Sequence, residues 1–516
     1  MKSLTYLLNL ILIIQLHCSY VITDMDFTYS ASDLYRLVQT EQLISRNLEE
    51  AVNSLKSFHK NLEKYQTEDL KEYASDIIIK NPLLSYQLVK RHGKDLDVLD
   101  KFYEEFTAQI AELQHSYTKL RTTFTKPDKN DLQHAMEAIV RLRQTYNLTV
   151  DELSRGHVGT FRMEGYLTPA DLSNIGLYAK ENKMHENAKL FLAMALEQAE
   201  KANESTTLEG SWMEDAQLVL DDLNKNQSIT SDREDTRLLT EMDVIFATDS
   251  LENLNKGFER LCQYHSVKEA PITKYKCYLD KTSSHMRIIS PLKMEVYHND
   301  PQIVVIYDFL SESEIEEIES ATFYKLKRSV TQFFHKGSLH AEPSIIRTTA
   351  QTWIYDLGHP QFDYLGKRIA SVTGYSLSGA TSAEELQVAS YRPGGHYSLH
   401  TDAIYEELFK DHLNPSDILM GDRIATFMIY LSDVEMGGNT AFPMLDVAVK
   451  PVKGSAILWG NLHPDGTIAR YTLHGACPVI HGIKSIATKW VRANDQMFTR
   501  QKCKPSKLSF HFDFTN

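Results

Sequence analysis

Apolar residues recur every seven positions through residues 30–66, in two interleaved rows. One row reads Leu34, Glu41, Leu48, Leu55 and Leu62; the other reads Leu37, Ile44, Ala51, Phe58 and Tyr65. Glu41 alone breaks the rule. A stripe of this period runs along one side of an α-helix and packs it lengthwise against another helix. A second helical stripe follows at Phe102, Phe106, Ile110, Leu113, Tyr117, Leu120 and Phe124. A third passes through Leu132, Met136 and Ile139, with Arg143 at its polar end, and Pro127 separates the two. Heptads build oligomers and intramolecular bundles alike, so the pattern leaves both open.

Residues 166–262 are helical with different punctuation. Thr168-Pro169 reads as an N-cap with proline in the first turn. A helix to about Glu181 and another from about Glu186 to Lys201 make an antiparallel pair that resembles one tetratricopeptide-type unit. Further helices are predicted at 212–223, 234–247 and 249–262, with a polar loop over Asn224–Asp232. Stacked helix pairs offer a concave face to a peptide, with a plain helical spacer as the alternative.

Past residue 300 the period shortens to two. Ile303–Phe309 is apolar and β-branched, and Ser311 with Glu314 makes a capping box for a short helix. Strands are predicted at Leu386–Tyr391, Ile424–Leu431, Ala456–Trp459 and Ser485–Val491, punctuated by Pro393-Gly394-Gly395 and Gly437-Gly438. Short strands so spaced predict a sandwich or jelly-roll barrel. The fold class is therefore α+β and multidomain, which suits 516 residues.

Composition narrows the partners. The formal net charge of −14 leaves no basic excess for nucleic acid. Met1-Lys2 followed by an apolar run from Leu4 to Leu16 and then Cys18-Ser19 reads as a signal peptide, and no later stretch is long and apolar enough to span a membrane. Four cysteines lie beyond it, Cys262, Cys277, Cys477 and Cys503, an even number that suggests disulfides in an oxidising compartment. Pairing by proximity in sequence gives Cys262–Cys277 and Cys477–Cys503, one of three connectivities. Sequons at Asn147, Asn203 and Asn226 agree with the secretory route.

The segment richest in chemistry is Tyr391-Arg392-Pro393-Gly394-Gly395-His396-Tyr397-Ser398-Leu399-His400-Thr401-Asp402. His400 and Asp402 are two apart, so on a strand they point to one face. A third ligand must come from elsewhere, and His474 is the candidate. Two imidazoles and a carboxylate suit non-haem iron(II) with open positions left over. Lys484, ten residues beyond His474, would sit where it can pair with a dicarboxylate held at the metal.

These residues resemble the catalytic α subunit of animal collagen prolyl 4-hydroxylases. The likeness is nearly continuous from Glu384 to Cys503, through Glu385-Leu386-Gln387-Val388, Gly394-Gly395, Asp422-Arg423-Ile424-Ala425-Thr426, Ser432-Asp433-Val434, Gly437-Gly438, Ala476-Cys477-Pro478-Val479 and Lys489-Trp490. It extends more weakly to the helices near 168–200 and to the N-terminal ones. It implies a double-stranded β-helix and iron ligation by His400, Asp402 and His474. It implies that Lys484 holds the distal carboxylate of 2-oxoglutarate, with Tyr391 and Thr440 beside it. Tyr397 and Trp490 would line the iron site, and Arg423 would lie near the peptide groove. The two local cysteine pairs match the family's disulfides.

The activity so implied is that of a procollagen-proline 4-dioxygenase. Proline is hydroxylated at C4 while 2-oxoglutarate and oxygen give succinate and carbon dioxide, and L-ascorbate sustains the iron. Two such chains would assemble with two of protein disulfide isomerase in the endoplasmic reticulum lumen. The implied layout is a signal peptide at 1–20, a coiled-coil-like assembly region at 21–150, a tetratricopeptide-like peptide-binding domain at 151–265, a linker at 266–300 and the dioxygenase domain at 301–510. Some positions depart from the family. Thr401 and Gly460 stand where aromatic residues are usual, and the tyrosine-rich peptide groove aligns with Lys180, His185, Glu186 and Phe191. A noncollagen proline peptide, a lysine substrate, or a scaffold role without turnover are the alternatives.

Overall fold

The structure is a computed structural model. It describes residues 31–65, 80–90, isolated positions elsewhere between 77 and 118, 129–201, 211–225, 251–264, 276–281, 285–335, 338–343, 347–355, 362–379, 381–404, 413 and 415–496. The signal segment, the helix expected at 234–247, the sequons Asn203 and Asn226, and Cys503 lie outside these residues, as does all of the second stripe except Ile110. Among the described residues no helix is long and apolar enough to cross a membrane.

Helix α1, Ala31–Tyr65, is unbroken through the heptads. Helix α2 spans Lys129–Tyr146 and ends at Asn147, which is exposed with a φ of 52°. Helix α3, Pro169–Glu181, starts as its sequence requires: Thr168 accepts from the Asp171 backbone, Asp171 returns the bond, and Pro169 occupies the first turn. Helix α4, His185–Lys201, packs on α3. A side chain at Gly176 would meet Leu192 Cγ at 2.7 Å, so glycine there sets how closely the two helices approach. Helices α5, Ser211–Lys225, and α6, Leu251–Gln263, follow, and two shorter helices span Pro82–Lys90 and Val150–Ser154.

Phe191 corrects one expectation. It is wholly buried on the face of α4 that also carries Ala188 and Ala195, so it belongs to the core and not to a peptide groove. Lys180 and His185 are half-buried and Glu186 is exposed.

The strands begin with a small hairpin, β1 His157–Val158 and β2 Phe161–Arg162. Then come β3 Cys277–Asp280, β4 Leu292–Asn299, β5 Gln302–Tyr307, β6 Lys327–Arg328, the hairpin β7 Val330–His335 with β8 Ser338–Pro343, and β9 Ala350–Ile354. The remainder are β10 Leu386–Tyr391, β11 Tyr397–His400, β12 Arg423–Tyr430, β13 Met436–Gly437, β14 Thr440–Phe442, β15 Val447–Val449, β16 Ala456–Gly460, β17 His474–Ala476, β18 Val479–His481 and β19 Lys484–Arg492. Nine form one sheet in the order β3-β4-β5-β16-β12-β19-β10-β9-β6, and four form another in the order β11-β17-β14-β15. Residues 277–299, expected as linker, therefore supply two strands of the large sheet. Leu292, Met294 and Val296 turn inward there while Lys293 and Glu295 do not.

Alternation sorts each strand between two cores. Phe427, Ile429, Leu458, Ala487 and Val491 face outward beneath helices α7, Glu312–Thr322, and α8, Asp363–Thr373. Tyr391, Met428, Tyr430, Ile457, Trp459 and Ile486 face inward, where they meet Phe442, Val447 and Val449 of the small sheet. A third core joins α2, α3, α4 and α6 to the small sheet and the β13–β18 pair, through Val140, Leu142, Leu172, Phe191 and Leu261 on one side and Ala441, Ala448 and, on β18, Ile480 on the other.

The local disulfide pairing does not hold. Cys262 at the end of α6 bonds Cys477 just past β17, with Cα atoms 5.4 Å apart. Cys277 is a free, exposed thiol on edge strand β3. The reason is packing: α6 lies across the small sheet, and Asn439 donates to the Leu261 and Tyr264 carbonyls at its end, which brings Cys262 to β17. Peptide mapping of the unreduced chain should recover Cys262 joined to Cys477. Cys262→Ser should lower unfolding free energy in a denaturant titration by about 2–4 kcal/mol. A Cys262–Cys277 crosslink would refute this pairing.

Candidate metal centre

β11 and β17 are antiparallel neighbours, and their register sets His400 opposite His474. The His400 and His474 rings lie 4.3 Å apart between centroids. Asp402, just beyond β11, brings Oδ1 to 3.7 Å from His400 Nε2 and Oδ2 to 3.8 Å from His474 Nε2. One ligand atom from each of the three lies within 4.8 Å of the others.

Each imidazole is held by the same device. His400 Nδ1 donates to the Ser398 carbonyl at 2.8 Å and His474 Nδ1 to the Thr472 carbonyl at 3.0 Å. A carbonyl can only accept, so Nδ1 carries the proton and Nε2 turns its lone pair inward. Burial keeps both rings below the usual histidine range, His400 down to about 3 with His474 adding to the effect. Burial alone would raise Asp402, but His474, His400, Arg423 and the Thr426 hydroxyl together bring it to about 2. Two neutral nitrogens and one anionic oxygen thus converge with free lone pairs, a donor set that fits a divalent transition metal. Tyr397 stacks on His400 at 3.6 Å, and Trp459 meets His474 edge-on at 4.7 Å, which fixes both rings.

Lys484 stands opposite Tyr391 in the β10–β19 register, and both point between the sheets. It is 1% exposed and donates to Thr440 Oγ1 at 3.1 Å; Tyr430 and Thr440 share a hydroxyl bond at 2.8 Å. Among the described residues no carboxylate pairs with it. Burial pushes its amine down to about 7 and that of the Tyr391 phenol up to about 12. The charge on Lys484 also reaches His474, so anchor and triad lie within electrostatic range of one another between the sheets.

Arg423 and Trp490 form the opposite wall. The guanidinium lies 4.0 Å over the indole, pairs with Glu384 at 2.5 Å and approaches the Asp402 carbonyl at 3.5 Å. Burial disfavours that charge, but Glu384 more than restores it. Each residue singled out from sequence, His400, Asp402, His474, Lys484, Tyr391, Thr440, Tyr397, Arg423 and Trp490, thus lies in or beside this space.

Three supports carried no assigned role from sequence. Thr426 donates to Asp402 Oδ2 at 2.6 Å and accepts from Asn461 at 2.8 Å. Arg347 lies 4.9 Å over the Tyr397 ring and donates to Gln387. Glu384 serves both Arg423 and Arg492. Thr426 stands within a matched motif, but only its place on β12 reveals its partner.

Residues 18–160 match the family of prolyl 4-hydroxylase α-subunit N-terminal regions, and residues 386–492 match the 2OG-Fe(II) oxygenase superfamily. The chain is 30% identical to prolyl 4-hydroxylase subunit alpha-3 of Mus musculus, over 90% of each chain. It is 28% identical to subunit alpha-2 of Caenorhabditis elegans, over 92% of this chain and 93% of the relative. With subunit alpha-1 of Homo sapiens it shares 27% identity over 96% and 99% of the respective chains.

Removing a group that orients a metal ligand typically weakens metal binding by about 10–100-fold. Thr426→Val should therefore weaken Mn(II) binding, read by electron paramagnetic resonance, by about tenfold. Unchanged affinity would show that Asp402 holds its place without Thr426.

Proposed function

The chain belongs to the prolyl 4-hydroxylase α-subunit family and is a 2-oxoglutarate dioxygenase, and on that footing we propose that it hydroxylates C4 of proline in collagen-type peptides. His400, Asp402 and His474 would hold iron(II), which when bound supplies the redox chemistry coupling 2-oxoglutarate decarboxylation to hydroxylation. The carrying observation is Lys484, a buried amine with no carboxylate partner among the described residues, between the same two sheets as the triad and close enough for its charge to act on His474.

The chain's own residues divide the work. Lys484 takes the distal carboxylate of 2-oxoglutarate, and Thr440 and Tyr391 hold the amine in line. Trp459 and Phe442, both fully buried, exclude water behind His474. Arg423 and Trp490 present a flat cationic and aromatic wall suited to a proline-containing peptide backbone. The two facing sheets are read as a double-stranded β-helix, and α3 with α4 as a tetratricopeptide-like unit. Endoplasmic reticulum residence, L-ascorbate dependence, glycosylation at exposed Asn147 and assembly with protein disulfide isomerase belong to the same reading.

A second reading is favoured by one observation. Lys180, His185 and Glu186 supply no tyrosine on the helical pair, and Phe191 is buried. A proline peptide other than a long collagen repeat then becomes the substrate. Purified chain with its partner, iron, 2-oxoglutarate and ascorbate should release succinate when given a Pro-Pro-Gly repeat, with 4-hydroxyproline identified by mass spectrometry. Release with other proline peptides alone selects the second reading. Absence of peptide-dependent release from folded protein leaves a scaffold.

Lys484 also makes the site sensitive to pH. Bound dicarboxylate favours the ammonium form, whereas the free site loses that proton at about 7. Affinity for 2-oxoglutarate should therefore fall as pH rises above about 7, with proton uptake on binding seen by calorimetry in buffers of different ionisation heat. Lys484 is also less protonated folded than unfolded, so its contribution makes stability rise with pH from about 7 toward 10.5. Lys484→Ala should cost about 2–5 kcal/mol of 2-oxoglutarate binding and leave Mn(II) binding nearly unchanged. A pH-independent affinity would remove Lys484 from this role.

A further inference from the structure

Helix α2 lies in the region, 21–150, that the family resemblance assigns to assembly, yet it touches the segments that carry both histidines. Arg141 donates through Nη1 to the Gly394 carbonyl at 3.0 Å, across 253 positions of sequence, and through Nη2 to Glu137 at 2.7 Å. Its side chain is 14% exposed. Gly394 has a φ of 77°, and a side chain there would come within 2.4 Å of Ala138 Cβ, so α2 rests directly on this turn. One turn further on, the Tyr146 hydroxyl donates to the Pro478 carbonyl, immediately after Cys477.

The Gly394 turn leads straight into the metal strand. Gly394 N–H donates to the Val479 carbonyl at 2.7 Å, and Val479 N–H returns a bond to Gly395 at 3.1 Å. Two residues later Tyr397 begins β11, stacks on His400 and fixes its ring. Arg141 thus holds, from outside, a turn whose tilt sets the direction of β11. The same guanidinium is close enough to help keep buried His396 neutral. Glu137 also bonds the Tyr178 phenol on α3, so one carboxylate joins the helical pair to this arginine.

We infer that Arg141 is a positioning residue of the dioxygenase centre: by clamping the Gly394 carbonyl from helix α2 it fixes the turn that aims Tyr397 and His400. The inference rests on the reading of the triad as the iron site. An unclamped turn lets β11 tilt, which moves His400 against His474 and loosens the metal. Lys484 is held from the other side by Thr440 on β14, so the 2-oxoglutarate anchor should move less than the metal ligands. A role confined to general stability would lower all of these together.

The test uses the full chain with its partner. Wild type, Arg141→Met and Arg141→Lys are compared for Mn(II) affinity by electron paramagnetic resonance, for 2-oxoglutarate KM and for thermal midpoint. Arg141→Met should weaken Mn(II) binding about tenfold, within the range seen for residues behind metal ligands, with 2-oxoglutarate KM within twofold and the midpoint unchanged. Arg141→Lys, which keeps a donor toward Gly394, should recover part of the loss. Unaltered Mn(II) affinity in folded Arg141→Met overturns the inference, and so does a parallel loss of metal affinity, 2-oxoglutarate affinity and midpoint. Should Arg141→Met fail to fold, Glu137→Gln, which frees the guanidinium from its acidic partner, must shift Mn(II) affinity at constant 2-oxoglutarate KM; no shift is equally decisive against it. Failure of the wild type to bind Mn(II) would instead strike the reading of the triad itself.

Discussion

An ammonium group removed from water with no carboxylate beside it is a standing electrostatic cost, and the space between the two sheets is arranged around that cost. Among the described residues, the contacts of Lys484 there are hydroxyls and rings, those of Thr440, Tyr430 and Tyr391. A hydroxyl lowers the cost of the charge but does not cancel it, which is why burial brings the amine toward neutrality. A cavity so built binds a carboxylate better than it tolerates being empty. The triad repeats the logic with opposite sign. Asp402 stays ionised because two imidazoles, Arg423 and Thr426 surround it, and bound metal completes the compensation that those neighbours begin.

That inner space limits what each strand of the large sheet can carry. β12, β16 and β19 are buried on both faces, so each must serve an apolar layer beneath α7 and α8 and a mixed layer facing the small sheet. The outer layer is mostly aliphatic and aromatic, with Lys489 buried opposite Phe427. The inner layer spends several positions on polar groups, Thr426, Asn461 and Lys484, and surrounds them with Trp459, Phe442 and Tyr430 to restore packing. Apolar bulk and catalytic polarity are thus separated by the two-residue period of the strand and not by distance along the chain.

The same period explains what the sequence disclosed. Leu386–Tyr391 was legible because its flanks are turn residues and its length suits a strand, and its boundaries match those observed. His400 and Asp402 were legible because i and i+2 share a face on a strand; His474 and Lys484 were candidates from the residues, and the family resemblance gave them their roles. The linker reading failed over 277–299 although Leu292-Lys293-Met294-Glu295-Val296 alternates, because so short a run carries little signal on its own. The disulfide was illegible for a different reason. Cys262 and Cys477 are 215 positions apart, and only the seating of α6 on the small sheet brings them together. Thr426 and Arg141 belong with it: each acts on a residue far off in sequence, and no local pattern encodes a partner of that kind.

A sheet with two apolar faces needs a cover on both. The large sheet finds its outer cover nearby in sequence, in α7 and α8. The small sheet has no such helices of its own, yet its outward side presents Ala441 and Ala448, continued by Cys477 just past β17 and by Met436 and Ile480 of the neighbouring β13–β18 pair. The cover comes from the first half of the chain: α2, α6 and the α3–α4 pair close over those residues in one continuous core. The order is helices, large sheet, small sheet, helices, with the metal centre between the sheets. The helical half is therefore the fourth layer of the dioxygenase as well as a neighbouring module. Removing it would expose the back of the strands that carry His400 and His474, so the chemistry of this fold depends on residues more than two hundred positions upstream of it.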